Sequence, residues 1–319
     1  MTYLIALLVS LILLVLGIVR LKIHPFFMLL ITSLFYGFLS GMTADQIIDA
    51  INDGFGNILG KIGLIILFGV TIGTILEKSG GALVIANRIL QWIGKKSIHL
   101  AMMLTGYFLS IPVFADSALM MMNPLNKMLS KKAGVSFAGT TAALAMGLTA
   151  SHVMVPPTPG PIAAAGILEA NLGDVIIWGL VVSGLSLFTC YWYATKVADK
   201  IKLPIEVEIV LDVAEQPKLW KSVLAVVVPL ALILIKSVLE YPTIDLGPSM
   251  GLSLFTFLGT PVIALFVGVL LSLTLPKELD DKVFSSSGWM GESLRVAAPI
   301  ILITGAGGIF GEMLQNSGI

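Results

Sequence analysis

The chain has 319 residues, of which 57% are hydrophobic and only 12% charged, and its mean hydropathy is +0.99. A soluble domain carries about 25% charge, so the composition is that of a polytopic, all-α membrane protein. The formal net charge is +0, which argues against a polybasic surface for nucleic acid. The single cysteine, Cys190, excludes an internal disulfide and a cysteine-held metal cluster.

A helix needs about 20 apolar residues to cross a bilayer. Residues 3–19 are the first candidate. No basic stretch precedes them and no small-residue cleavage site follows, so they read as a membrane helix and not as a secretory signal. Residues 26–39 are the second, joined to the first through Arg20, Lys22 and His24. The next connection is acidic, with Asp45, Asp49 and Asp53, and is expected to be a loop before a third span over 58–76. Lys78, Arg88, Lys95 and Lys96 follow, around an amphipathic stretch over 83–92. Lysine and arginine mark the cytoplasmic side. The basic connections are therefore placed inside, the acidic one outside, and the N-terminus outside.

Residues 98–129 are apolar but interrupted at Pro112 and at Asn123-Pro124, and they end in Lys127, Lys131 and Lys132. A segment that starts and ends on one side reads as a re-entrant hairpin, with its tip near Ser110–Ser117. Residues 135–172 are too long for one ordinary span and contain His152-Val-Met-Val-Pro-Pro-Thr-Pro-Gly-Pro161. Proline lacks a backbone N–H and clashes with the preceding turn, so no continuous helix is expected there. An irregular backbone persists at membrane depth only if it is buried in protein or lines a wet cavity. This broken helix is the first place to look for bound polar ligand.

Glu169 and Asp174 are placed outside, and residues 175–195 return inward. Residues 196–221 carry ten charges and read as a cytoplasmic linker between a first transmembrane repeat (1–195) and the start of a second (222–319). In that second part, 219–239 goes out, 241–250 is an external loop with Pro242, Gly247 and Pro248, and 258–275 comes back in. Residues 276–295 are a charged inner loop, and the last span begins near Val296.

The last span repeats an earlier one. Aligning residues 64–80 with 302–318 gives seven identities in 17 positions: Leu64/Leu302, Ile65/Ile303, Gly69/Gly307, Gly73/Gly311, Leu76/Leu314, Ser79/Ser317 and Gly80/Gly318. By the charge rule the two copies cross in opposite directions, which is the inverted-topology pattern of many secondary transporters. The paired glycines are read as close helix packing. The first copy continues into a hairpin and a broken helix, whereas the second stops at Ile319, so the second repeat is expected to be incomplete.

The breaks suggest a chemistry. A half-helix starting after Pro112 could be capped by Asp116 or Ser117. One starting at Pro159 could be capped by Thr158, with Pro159 in the first helical position. Two helix N-termini facing one cavity would attract a small carboxylate. Ser117, Thr158 and Asn123 could bond a hydroxylated tail, and Gly160 would admit the ligand backbone-close. Asp116, an acidic residue deep in an apolar stretch, is a candidate proton carrier or merely a helix cap. His152, beside the proline break, is a candidate for proton coupling or a packing residue. Glu77 reads as a solvated helix end, and Met120–Met122 and Cys190 as core. His24, His99 and His152 form no metal-binding pair, so no cofactor or metal is expected.

Three stretches carry a family resemblance: Ser110-Ile-Pro-Val-Phe-Ala-Asp116, Val155-Pro-Pro-Thr-Pro-Gly-Pro-Ile-Ala-Ala-Ala-Gly-Ile-Leu168 and Asn171-Leu-Gly173. Together with Glu77-Lys-Ser-Gly-Gly-Ala82, they resemble the gluconate permease (GntP) family of gluconate:proton symporters. The resemblance runs over the whole chain. It implies inverted repeats with re-entrant hairpins, multi-pass placement in a bacterial inner membrane, and uptake of gluconate or a related small acid with a proton. It directs attention to Pro112, Asp116, Thr158, Pro159 and Gly160. Members are longer than this chain, with a second hairpin and a second broken helix. A sodium-coupled carboxylate carrier and a non-transporting subunit or truncated remnant are the alternatives; no catalytic pair points to an enzyme. A homodimer would give a moving repeat a fixed scaffold.

Overall fold

The computed structural model describes residues 2–93, 97–203, 216–240 and 250–318. Lys95 and Lys96, most of the expected linker, and the expected external loop up to residue 249 lie outside the described residues. Among the described residues every regular element is helical. Five of the described helical runs are long and apolar enough to cross a membrane, or six when a bent pair is taken as one span.

The chain divides into two compact units. The first holds residues 1–67, 166–168 and 295–319, and the second holds 68–165 and 169–294. In the first, α1 (Thr2–Val19) packs on α2 (Pro25–Leu39), whose Pro25 occupies the first turn, where its missing N–H is harmless. The ring nitrogen of His24 accepts the amide of Phe26 there.

Next come α3 (Ala44–Ile58), a π-helical turn (Leu59–Gly63) and α4 (Leu64–Lys78), which form one run of 35 residues. The acidic stretch is therefore helix and not loop. Thr43 and Gln46 form a reciprocal capping box that starts it. Ile47, Ala50 and Gly54 recur at helical spacing on the buried side, so Asp45, Asp49 and Asp53 occupy the outer face of an amphipathic helix. Gly54 meets the backbone of Gly308 and Ile309, and a core of Tyr36, Met42, Ile47, Ile309 and Met313 fills the unit.

In the second unit, α5 (Gly81–Ile93) leads to α6 (Ile98–Leu109), a break, and α7 (Ala115–Ala133). At 12 residues α6 is about 18 Å long, short of the roughly 30 Å hydrocarbon core. It is buried on nearly all sides and lies against α8 (Phe137–Met154). Small residues make that approach possible: a Cβ on Gly147 would stand 2.0 Å from the Met103 carbonyl oxygen, and one on Gly106 2.6 Å from that of Leu144.

The expected interruption at Asn123-Pro124 does not occur; α7 continues through Pro124. A proline can be carried inside a helix when the rest of the turn is held by packing, here through Met122 and Asn126 on the buried face. After α8 come a second break, α9 (Pro159–Ile167) and α10 (Leu172–Lys196).

Three further segments depart from the sequence expectation. After α11 (Leu219–Leu239), the expected span over 258–275 is α13 (Pro261–Ser272), and a helix not expected from the sequence, α12 (Met250–Leu258), precedes it, the two bent by 75°. Pro261 forces the preceding Thr260 out of helical geometry, to φ −60° and ψ 126°. The expected inner loop over 276–295 contains a short helix, α14 (Asp281–Phe284), and the start of α15 (Trp289–Asn316). The last helix thus begins seven residues before Val296. Glu292 in its first turn complements the positive end of the helix dipole.

The two aligned stretches have the same ending. Ser79 and Ser317 donate to the carbonyls of Leu76 and Leu314. Gly80 and Gly318 follow with φ of 77° and 87°, a left-handed cap that glycine adopts at no steric cost.

Candidate functional site: a cleft between two helix breaks

The first break runs from Ser110 to Phe114 and the second from Val155 to Thr158, where the Pro156–Pro157 peptide is cis. Each break satisfies part of its own backbone with a hydroxyl. Ser110 donates to the carbonyl of Val113, and Thr158 donates to that of Val155 at 2.7 Å. Ser151, one turn before the second break, donates to the Tyr107 carbonyl at 2.6 Å, just before the first. That bond ties the two breaks to one level.

The glycine pair of α4 covers both breaks. A Cβ added at Gly73 would stand 2.2 Å from the Pro112 carbonyl oxygen, and one at Gly69 2.7 Å from that of Pro157. On the far side, Gly179 of α10 leaves room for the Met154 carbonyl. A Cβ at the aligned Gly307 or Gly311 would meet nothing within 4 Å among the described residues. The glycines do serve close packing, and their partners in the first copy are the breaks themselves.

Between the breaks lies a narrow cleft of about 10 Å³, room for a single water. It is lined by Gly69, Val70, the first break with Pro112 and Phe114, and then His152, Pro157, Thr158 and Pro159. Of the residues singled out in the sequence, Pro112, His152, Thr158 and Pro159 meet there. The His152 ring packs against Phe114, with centroids 5.7 Å apart. It also interacts with Asp116 and the backbone of Ser110, while its Nδ1 is buried with no hydrogen-bond partner among the described residues. Gly160 is exposed and Asn123 lies two turns along α7; neither lines the cleft.

The expected caps are different. Phe114 occupies the N-cap of α7 with no side-chain cap, so Asp116 and Ser117 sit inside the first turn. Ser117 interacts with Glu77 on α4 instead. Thr158 takes the cap position of α9 by accepting the Ile162 amide with its carbonyl, but its hydroxyl is directed back to Val155. The two helix starts are also unequal donors. Pro159 and Pro161 have no N–H, which leaves Gly160 as the donor in the first turn of α9. The first turn of α7 offers the amides of Ala115, Asp116 and Ser117. The α7 end therefore presents more backbone donors than the α9 end, and Asp116 stands in its first turn.

Sequence reasoning missed Glu77, whose position closing an apolar run reads as a solvated helix end. Glu77 is half-buried and interacts with Ser117, Lys78 and Glu292. Lys78 Nζ and Glu292 Oε1 form an ion pair at 2.8 Å, and Thr71 donates to Ser293 at 3.1 Å nearby. The pattern at Glu77 is ambiguous without knowing what packs on it. The polar contact of Asn126 with Thr141, and of Ser130 with Thr140 at 2.6 Å, was also missed; it fastens α7 to α8.

A family model described as GntP family permease matches residues 2–319. The chain belongs to the GntP permease family. It is accordingly a membrane transporter and not an enzyme. This GntP-family chain is 34% identical to an uncharacterized permease of Haemophilus influenzae, over 98% of its own length and 68% of the relative's. It is 32% identical to a gluconate permease of Pseudomonas aeruginosa, over 98% and 71%. It is 30% identical to the D-serine transporter DsdX of Escherichia coli K12, again over 98% and 71%.

Proposed function

We propose that the chain is a secondary active transporter of a bacterial inner membrane that takes up gluconate, or a related small hydroxy or sugar acid, together with a proton. The observation that carries this reading is the start of α7. Its unpaired amides and partial positive charge suit a carboxylate, yet Asp116 and Glu77 already crowd it. A substrate carboxylate brought there as a third negative charge is repelled unless a proton arrives with it. The names of the gluconate and D-serine relatives support a small carboxylate as ligand. The hydroxyls of Ser117 and Thr158 would have to leave their present partners to bond its hydroxylated part, and Asn123 and Gly160 lie further off.

Substrate and proton enter from outside, occupy the cleft beside Asp116 and His152, and leave inside once one repeat has moved against the other. Uptake of labelled gluconate into vesicles tests this. Accumulation is expected to collapse with a protonophore and to persist when sodium is replaced at fixed pH. Asp116→Asn is expected to reduce accumulation about a hundredfold, the scale on which a positioned proton-transfer group acts. Undiminished accumulation by that variant removes Asp116 from coupling.

A further inference from the structure

We propose, resting on the small-acid transport reading above, that Tyr107 is a positioning residue for transport. It pins the bases of both helix breaks to α10 and so sets how the breaks stand to one another when substrate binds.

Tyr107 lies in the last turn of α6, just before the first break. Carbonyls at a helix end lose their intrahelical donors. The Tyr107 carbonyl instead accepts the Ser151 hydroxyl at 2.6 Å. Ser151 lies in the last turn of α8, and its own carbonyl accepts the Val155 amide at 2.8 Å, where the second break begins. The backbone of Tyr107 thus holds the end of α6 to the end of α8.

Its side chain reaches a third helix. The ring is buried among Met103, Ala143, Ala150 and Leu187. The phenol oxygen lies 2.9 Å from Ser183 Oγ and 3.2 Å from the Leu180 carbonyl oxygen, both on α10. Ser183 donates its own hydroxyl to the Gly179 carbonyl, so its oxygen accepts from the phenol. Gly179 in turn admits the Met154 carbonyl at the end of α8, where a Cβ would stand 2.2 Å from that oxygen. One short stretch of α10 therefore meets the end of α6 through hydroxyls and the end of α8 through bare backbone. Tyr107, Ser151 and Ser183 are all buried, and a satisfied polar network in a low dielectric favours a single arrangement.

Tyr107 does not line the cleft and acts through the breaks. A cleft of about 10 Å³ admits a small acid only as the breaks part. With their bases pinned, they part by local movement of residues 110–114 and 155–158. Without the pin the bases move too, and binding must order them at a cost in affinity.

Tyr107→Phe keeps the ring in its apolar setting and leaves Ser183 with its Gly179 partner, so no buried polar group is stranded. In the full chain, hydrogen exchange at the Val113 and Val155 amides, one in each break, is expected to rise by up to about tenfold, the scale of one hydrogen bond. Amides in the middle of α11 are expected to be unchanged. In proteoliposomes, KM for exchange of labelled gluconate is expected to rise by a similar factor at an unchanged maximal rate. Loss of folded protein does the reverse, lowering the maximal rate at unchanged KM. Ser183→Ala weakens the same contact from the other side, so the double variant is expected to match Y107F. Unchanged exchange at Val113 and Val155 overturns the assignment. So does a lower maximal rate at unchanged KM, or effects of the two substitutions that add. A wild type that moves no gluconate overturns the small-acid reading alone, and hydrogen exchange at the two breaks still decides the role of Tyr107.

Discussion

Gly73 shows how much a single missing side chain can do. Its α-carbon lies where a methyl group would meet the Pro112 carbonyl oxygen at 2.2 Å, and that oxygen belongs to backbone that cannot swing away. Gly73→Ala is expected to cost about 1–3 kcal/mol through overpacking and to impair transport by pushing α4 off the first break. Gly311→Ala, at the aligned position with open space around it, is expected to be neutral or to stabilise by up to about 1 kcal/mol through helix propensity. Thermal unfolding in detergent compares the two. The glycine spacing was legible in the sequence, and so was its role in packing. That the partner of one copy is a pair of broken backbones was not, because spacing along a helix says nothing about what crosses it. Glu77 has the same lesson in reverse. A carboxylate next to a lysine at the end of an apolar run looks solvated, and only the arrival of α7 and α15 leaves it half-buried.

Among the elements, the hairpin α6–α7 depends on an anchor at its base. His99 at the start of α6 is buried, and its Nε2 lies 2.8 Å from Asp199 Oδ1; the same oxygen accepts the Ser136 amide that precedes α8. Ser136 also donates its hydroxyl to the Ile201 carbonyl. One carboxylate thus joins three segments, and Gly139 leaves it the room, since a Cβ there would come within 2.7 Å of that oxygen. His99→Ala is expected to destabilise the chain by about 1–3 kcal/mol, because it leaves Asp199 short of a partner, and to speed hydrogen exchange at the start of α6 and α8 first. Unchanged exchange at those two places would show that the hairpin is held elsewhere. The two breaks and the start of α9 were readable from proline alone, since proline's limits are local. The continuation of α7 through Pro124, the bend between α12 and α13 and the helical acidic stretch were not. In each case a local signal was offset by packing, by the residue before a proline or by a capping pair.

For the whole molecule, lysine and arginine placement sets the expected sidedness. Lys78, Gln216, Lys277, Lys282 and Trp289, from segments that the charge rule puts inside, line one common cleft. With Cys190 replaced by serine, a cysteine at Lys132 is expected to react with a membrane-impermeant thiol reagent only from the cytoplasmic side. A cysteine at Gly41 is expected to react only from outside. Labelling of both from one side would overturn the orientation and, with it, the opposite crossing of the aligned stretches.

The membrane class, the two proline breaks, the repeated stretch and the family could all be read from the chain before it folds. Each of these is a property of composition or of short, contiguous pattern, and the bilayer leaves few alternatives for a chain this apolar. Packing in three dimensions decided which residues line the cleft between the breaks and which side chains face one another there. Those matters depend on residues far apart in the chain, such as Ser110 with His152 or Glu77 with Ser117, and their contact energies exist only once the fold has brought them together.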